Sequence, residues 1–216
     1  MARGIERGEI FRNDKDRELF LERFGCLSEE MSTPAYAFAL IPNHFHILLR
    51  SGPPGLSGFM RRPPTGYATS YNKRHHRAGH LFQNRYTSVI CDEDAYFTEL
   101  VRHIHLNPLR AGVVKTLEEL HSYGWGSHYD IVHKNRFPSY DTDFVLAWFG
   151  SRKLYKTFTR EGVEKKYLPS LSGGGLIRSL GGLTKTVQQR GSPVVADERI
   201  LGTGDFVKNL LSQERN

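Results

Sequence analysis

Cysteine is scarce: the 216 residues include two, Cys26 and Cys91. A pair so far apart supports neither a disulfide framework nor a zinc site of cysteine alone, and both are expected to be reduced, in a cytoplasm. No apolar run approaches the roughly 20 residues of a membrane span, and the polar start does not read as a signal peptide. The expectation is therefore a soluble cytoplasmic protein with no membrane partner. Internal repeats and glycine-rich phosphate loops are absent too. Charge of one sign is only modestly in excess, with 30 Lys and Arg against 23 Asp and Glu. That surplus permits nucleic-acid binding without establishing it. What the chain does have is aromatic residues, 12% of the total and available for base stacking, and length for one core plus a smaller appendage.

The most informative stretch is Pro42-Asn43-His44-Phe45-His46-Ile47-Leu48-Leu49-Arg50. It follows an apolar run, Tyr36 to Ile41, and precedes the turn Gly52-Pro53-Pro54-Gly55, so it reads as a strand after a strand, roughly 35–41 and 44–50. Alternation puts His44, His46 and Leu48 on one side and Phe45, Ile47 and Leu49 on the other. Two imidazoles about 7 Å apart along a strand can converge on one divalent metal if a third ligand arrives from elsewhere. The plain alternative is one hydrogen-bonded core histidine and one solvated one.

Asn13 or Asp14 is positioned to cap a helix reaching about Met31, with Leu19, Phe20, Phe24 and Leu27 on one side. A second helical pattern begins near Ser57 and resumes through Tyr67 and Tyr71, interrupted at Pro63-Pro64, where it must start, kink or break. The basic run Lys73-Arg74-His75-His76-Arg77 leads to Gly79-His80-Leu81-Phe82-Gln83-Asn84-Arg85-Tyr86. Alone it reads as a solvated loop; interleaved with Phe82 and Tyr86 it suits a single strand of nucleic acid, cations on phosphates and rings on bases. Residues 85–91 alternate and predict a strand. A helix over about 94–107 follows, buried through Tyr96, Phe97, Leu100, Val101 and Ile104 and ended by Pro108. The order αββαβα predicts an α+β layer with helices on one face of an antiparallel sheet, the two histidines looking outward.

On that last helix His103 and Asn107 are four apart and share a face. Asn107 offers a carbonyl oxygen as a third metal ligand, or serves as an ordinary C-cap before Pro108. Taken together, residues 41–49, 79–86 and 101–114 resemble the IS200-like single-tyrosine (HUH) transposases, most closely the subgroup associated with repetitive extragenic palindromes. The likeness covers about residues 3–160 in matching order and spacing. It implies a ferredoxin-like catalytic domain binding single-stranded, hairpin-bearing DNA, with Mg²⁺ or Mn²⁺ held by His44, His46 and Asn107. In the family a helix tyrosine attacks the scissile phosphate, leaving a 5′-phosphotyrosine and a free 3′-hydroxyl. Candidate DNA contacts are Arg61, Arg62, Lys73, Arg74 and Arg77. Phe82, Arg85, Tyr86 and Arg110 complete that set.

The chain departs from the family where it matters most, because His103 stands at the position of the tyrosine. As a nucleophile it would give a phosphoramidate; the expectation preferred here is impaired strand transfer with DNA and metal binding retained. Tyr96 lies about 10 Å away along the helix axis and belongs to the buried stripe. Relatives begin a dozen or more residues earlier, so the first strand is expected to be clipped, and Pro63-Pro64 replaces helix-compatible residues. The sequence thus divides into 1–121, a transposase-like domain; 122–168, a small helical extension; and 169–216, a Gly-rich linker and terminal helix. Within the extension, 122–139 reads as a connecting segment and Asp141 caps a short helix. Two other functions stay open: a catalytically inactive hairpin-DNA binder on the same fold, and an unrelated metal hydrolase, which needs a carboxylate near the His pair.

Overall fold

The computed structural model describes residues 1–133, 140–164, 200–201 and 205–206. The chain divides into two compact units, Met1–Thr87 with Val101–Val163 and Ser88–Leu100 with Glu164–Asn216.

In the first unit, helix α1 (Asp14–Glu30) starts where its sequence says it should. The Asn13 side chain accepts from the Asp16 amide and the Asp16 carboxylate accepts from the Asn13 amide, a reciprocal capping box. Strands β2 (Ala35–Ile41) and β3 (His44–Leu49) pair antiparallel, with Leu40 opposite Phe45 and Ala39 opposite His46. A two-residue strand, β1 (Ala2–Arg3), pairs with the other side of β3, putting Arg3 opposite His44. Residues 81–87 then run along the outer side of β1. Gly4 bridges Phe82, the Gln83 amide donates to Arg3 O at 2.9 Å, and the Thr87 amide donates to Met1 O at 2.8 Å. The lateral order is therefore 81–87, β1, β3, β2.

Helix α2 (Gly55–Met60) meets α3 (Arg62–Arg74) at Arg61, and Pro63-Pro64 fall in the first turn of α3, where no N–H is needed from either. The prolines start a helix here. Helices α1 and α3 cover the Phe45 face of the sheet with an aromatic cluster: Phe20 packs on Phe45 at 4.7 Å, Phe11 at 5.4 Å and Tyr67 at 5.3 Å between ring centroids. Burying a ring such as Phe20, 1% exposed, contributes roughly 1.5–3 kcal/mol.

Helical cover is not confined to that face. Helix α4 (Glu93–His105) brings its last turn over the opposite side, where Ala37 and Ala39, both fully buried, leave room for it. The histidines are consequently half-buried under a helix end rather than on an open surface. The helix also stops earlier than its pattern predicts. Leu106 forms a turn, and Asn107 and Pro108 open a separate short helix, α5 (Asn107–Arg110), in which Pro108 occupies the first turn.

Helices α6 (Leu117–His121), α7 (Ser127–Val132), α8 (Thr142–Phe149) and α9 (Arg152–Glu164) follow. Part of the segment expected to be a plain connection is thus the helix α7, which sits on the outer edge of β2. Leu40 N donates to Trp125 O (2.9 Å), Phe38 N to Ser127 Oγ (2.8 Å) and Asp141 N to Ala35 O (3.1 Å). Asp141 also caps α8, accepting from the Phe144 amide at 2.9 Å.

In the second unit, the strand expected over 85–91 is reduced to β4 (Ile90–Cys91), which pairs in parallel with β5 (Ile200–Leu201). Residues before it are held by isolated backbone bonds, so β-branched composition there does not produce a ladder. The first turns of α4 belong to this unit, with Phe97 buried. The expected Gly-rich linker and most of the terminal helix lie outside the described residues. Among the described residues no helix is long and apolar enough to cross a membrane.

Candidate functional site

Three separate elements converge on the imidazole face. Strand β3 contributes His44 and His46, whose ring centroids are 5.2 Å apart. The last turn of α4 contributes His103, 6.2 Å from His46. Helix α5 contributes Asn107, whose side chain hydrogen-bonds His44, and Arg110, whose Nη1 donates to His103 Nδ1 at 3.1 Å.

Neighbours missed in the sequence orient this group. Asn43 Nδ2 donates to Arg7 O at 3.2 Å, which turns its Oδ1 toward His44 Nδ1 at 2.6 Å. His44 therefore carries its proton on Nδ1 and keeps the Nε2 lone pair, the arrangement that a carbonyl partner gives a ligating imidazole. Arg3 lies on the same face through its register with His44, and its buried Nε has no hydrogen-bond partner. Sequence offered no signal for Arg3, since two residues carry no strand periodicity.

Electrostatics keep the rings neutral. Burial, then the neighbouring His44, push His46 down to about 2. Burial and the Arg110 guanidinium push His103 down to about 4. Burial and Arg3 lower His44, against a hydrogen bond with Asn107 that acts the other way. Neutral imidazole is the form that binds a metal. Among the described residues no three His, Cys, Asp or Glu side chains are grouped to hold a metal ion. The three imidazoles are thus not a three-histidine centre. The donors that fit a hard divalent cation in part are two imidazoles and the Asn107 amide oxygen, with remaining positions left to oxygen from water or phosphate.

Of the DNA-contact candidates, Arg110 is brought to these histidines by a hydrogen bond. Arg62 is paired with Glu30 at 2.6 Å, and Arg74 Nε donates to Asp16 Oδ1 at 3.1 Å, so both serve the helical layer on the far side of the sheet. Lys73 is exposed at the end of α3, and Arg77 stacks over Tyr71 at 5.8 Å. Phe82 meets Phe45 edge-on at 6.1 Å, on the core side. Arg61 and Arg85 are exposed, and the Tyr86 hydroxyl bonds Ser57 Oγ at 3.1 Å. A cleft of about 500 Å³ lies elsewhere, lined by Glu29, Thr33, Asp141, Asp143 and Arg152 among others. Three carboxylates to one guanidinium make it a poor seat for a polyanion.

Behind the site, His105, two residues from His103 on the opposite side of α4, is fully buried and pushed down to about 3 by burial. It belongs to a chain of polar side chains reaching into the helical extension. No protein-family model, curated protein or solved structure matches this chain.

Proposed function

We propose that this protein binds single-stranded, hairpin-bearing DNA at His44, His46, His103 and Asn107, as a relative of the IS200-like transposases whose strand-transfer chemistry is impaired. The observation that carries the reading is the convergence of the His-x-His pair with His103 and Asn107 from three elements. The lateral order 81–87, β1, β3, β2, with α1 and α3 together on one face, supports a ferredoxin-like layout with a rudimentary fourth strand.

His44, His46 and Asn107 would hold Mg²⁺ or Mn²⁺, which supplies charge neutralisation at the non-bridging oxygens of a phosphodiester. The protein's own groups do the rest. Arg3 brings a guanidinium charge to the face of His44, and Arg110 adds a second positive charge beside His103. Asn43 holds His44 in the ligating tautomer.

A second reading, a hairpin-DNA binder without catalysis, is favoured by one bond. Arg110 occupies the His103 Nδ1 lone pair, so the neutral ring carries its proton on Nε2. That nitrogen is then a donor toward phosphate and not a nucleophile.

Mixing the protein with Mn²⁺ and hairpin-bearing single-stranded oligonucleotides separates the two. Impaired catalysis gives slow cleavage with an acid-labile covalent adduct that disappears in His103→Ala. Binding without adduct in the native protein, and an acid-stable adduct only in His103→Tyr, identifies the binder. No DNA binding with or without Mn²⁺ overturns both.

A further inference from the structure

Five side chains from four helices form a single hydrogen-bonded file. His121 Nδ1 meets His128 Nε2 at 2.8 Å, and His128 Nδ1 bonds the Tyr155 hydroxyl. That hydroxyl meets His105 Nδ1 at 2.8 Å, and His105 Nε2 meets Ser127 Oγ at 2.7 Å. Ser127 Oγ accepts from Phe38 N at 2.8 Å and donates to Phe38 O at 3.2 Å. The file begins at half-buried His121 on α6, passes through α7, α9 and α4, and ends on the backbone of β2.

We propose that this file, with Tyr155 and His105 at its centre, is the positioning device that keeps the α4–α5 junction, with His103 on one side and Asn107 on the other, in register with the strand bearing His44 and His46. The inference rests on the reading that those four residues form one site. Its geometry is independent of that reading. Ser127 grips Phe38, and the next residue, Ala39, faces His46 across the β2–β3 ladder. His105 sits between His103 and Asn107 in the chain and points away from them, so it fixes the rotation of α4 about its axis without touching the site. Helix α9 is seated close against the same turn: Arg102 Cζ lies 4.0 Å over the Phe158 ring, and a Cβ on Gly162 would meet Leu106 at 2.9 Å.

The file also has one polarity. A neutral imidazole has one donor and one acceptor nitrogen, so fixing one proton fixes the others. With Ser127 donating to Phe38 O, His105 bears its proton on Nε2, Tyr155 donates to His105 Nδ1, and His128 and His121 each bear a proton on Nδ1. Groups that hydrogen-bond metal ligands directly change affinity by about 10–100-fold, and a file that acts one step further back, through the backbone, is expected at the low end of that range.

The test is long-range ¹⁵N–¹H spectroscopy of the histidine rings in the full chain, together with Mn²⁺ affinity measured without DNA. The expected spectrum shows single tautomers, Nε2–H at His105 and Nδ1–H at His128. Tyr155→Phe is expected to shift the His103 ring and Asn107 amide signals and to weaken Mn²⁺ binding about tenfold. Val145→Ala, a core truncation outside the file, loses stability without moving those signals. His121→Ala trims the half-exposed end and is expected to give the same shifts in smaller size, which keeps the test open if Tyr155→Phe does not fold. Tautomer mixtures at His105 and His128, or unmoved His103 and Asn107 signals in both variants, overturn the proposal. Signals that move in a protein that binds no Mn²⁺ keep the positioning role and remove the metal reading instead.

Discussion

Two polar centres lie on opposite sides of the same sheet, and they are finished differently. Around Asp16, fully buried, the carboxylate accepts from Arg12 N at 3.0 Å, Arg74 Nε at 3.1 Å and His75 Nε2 at 2.9 Å, and the N-cap bond to Asn13 closes the set. One anion meets its own donors, and the result ties the start of α1 to the end of α3. Around His46 the charged groups that shift the rings are all cationic, and Arg3 keeps a buried N–H without a partner. A centre built for stability completes its hydrogen bonds internally. The imidazole centre instead gathers neutral rings beside positive charge.

Breaking the closed centre should cost most. Asp16→Asn is expected to lower unfolding free energy by about 3 kcal/mol, since it leaves a guanidinium and an imidazole uncompensated. Denaturant titration reads that loss, and Mn²⁺ and DNA binding should be unchanged after allowing for it. His46→Ala should do the reverse, weakening Mn²⁺-dependent DNA binding by well over tenfold while stability stays within about 1 kcal/mol. Arg3→Gln is expected to weaken hairpin-DNA affinity about tenfold, the worth of roughly one charge-assisted hydrogen bond, and to reduce the salt slope by about one ion. Arg3→Lys should recover the slope and only part of the affinity.

Acid separates the centres further. Burial raises the Asp16 carboxyl, but the hydrogen bonds from His75 and Arg12 and the His75 charge outweigh it, and its folded value lies below the ordinary one. Its stabilisation is complete above about pH 4 and is lost as pH falls through the folded value. The imidazoles at His46, His103 and His105 are also depressed, to about 2, 4 and 3. For them the unfolded chain takes up protons first, so stability should begin to fall below about pH 6.5. Unfolding measured from pH 8 to 3 is expected to show two slopes. Asp16→Asn should flatten the acid one alone, whereas His46→Ala should remove part of the slope from about pH 6.5 downward, through the acid range as well.

The sequence was legible where one local rule settled the outcome. The apolar run 36–41 marked β2, alternation marked β3 and the faces of His44 and Phe45, and the Asn13-Asp14 pair marked the start of α1. It was least legible where structure depends on distant partners. Residues 85–91 have strand composition, yet 81–87 lie along β1 through isolated bonds, and pairing is confined to Ile90–Cys91. Helix α7 has no apolar periodicity because His128 and Asp130 are buried with Ile131. Arg3 and Tyr155 gain their meaning only from register and from the far end of a hydrogen bond.

The outer edge of β2 has a consequence for assembly. Its backbone is met by Trp125 O, the Ser127 hydroxyl, the Tyr123 hydroxyl and the Asp141 amide in place of a strand. An edge plugged in this way offers no continuous template to a neighbouring chain. Copies of this protein cannot join by extending the sheet past β2, and the same plug guards the apolar run 35–41 against strand-to-strand aggregation.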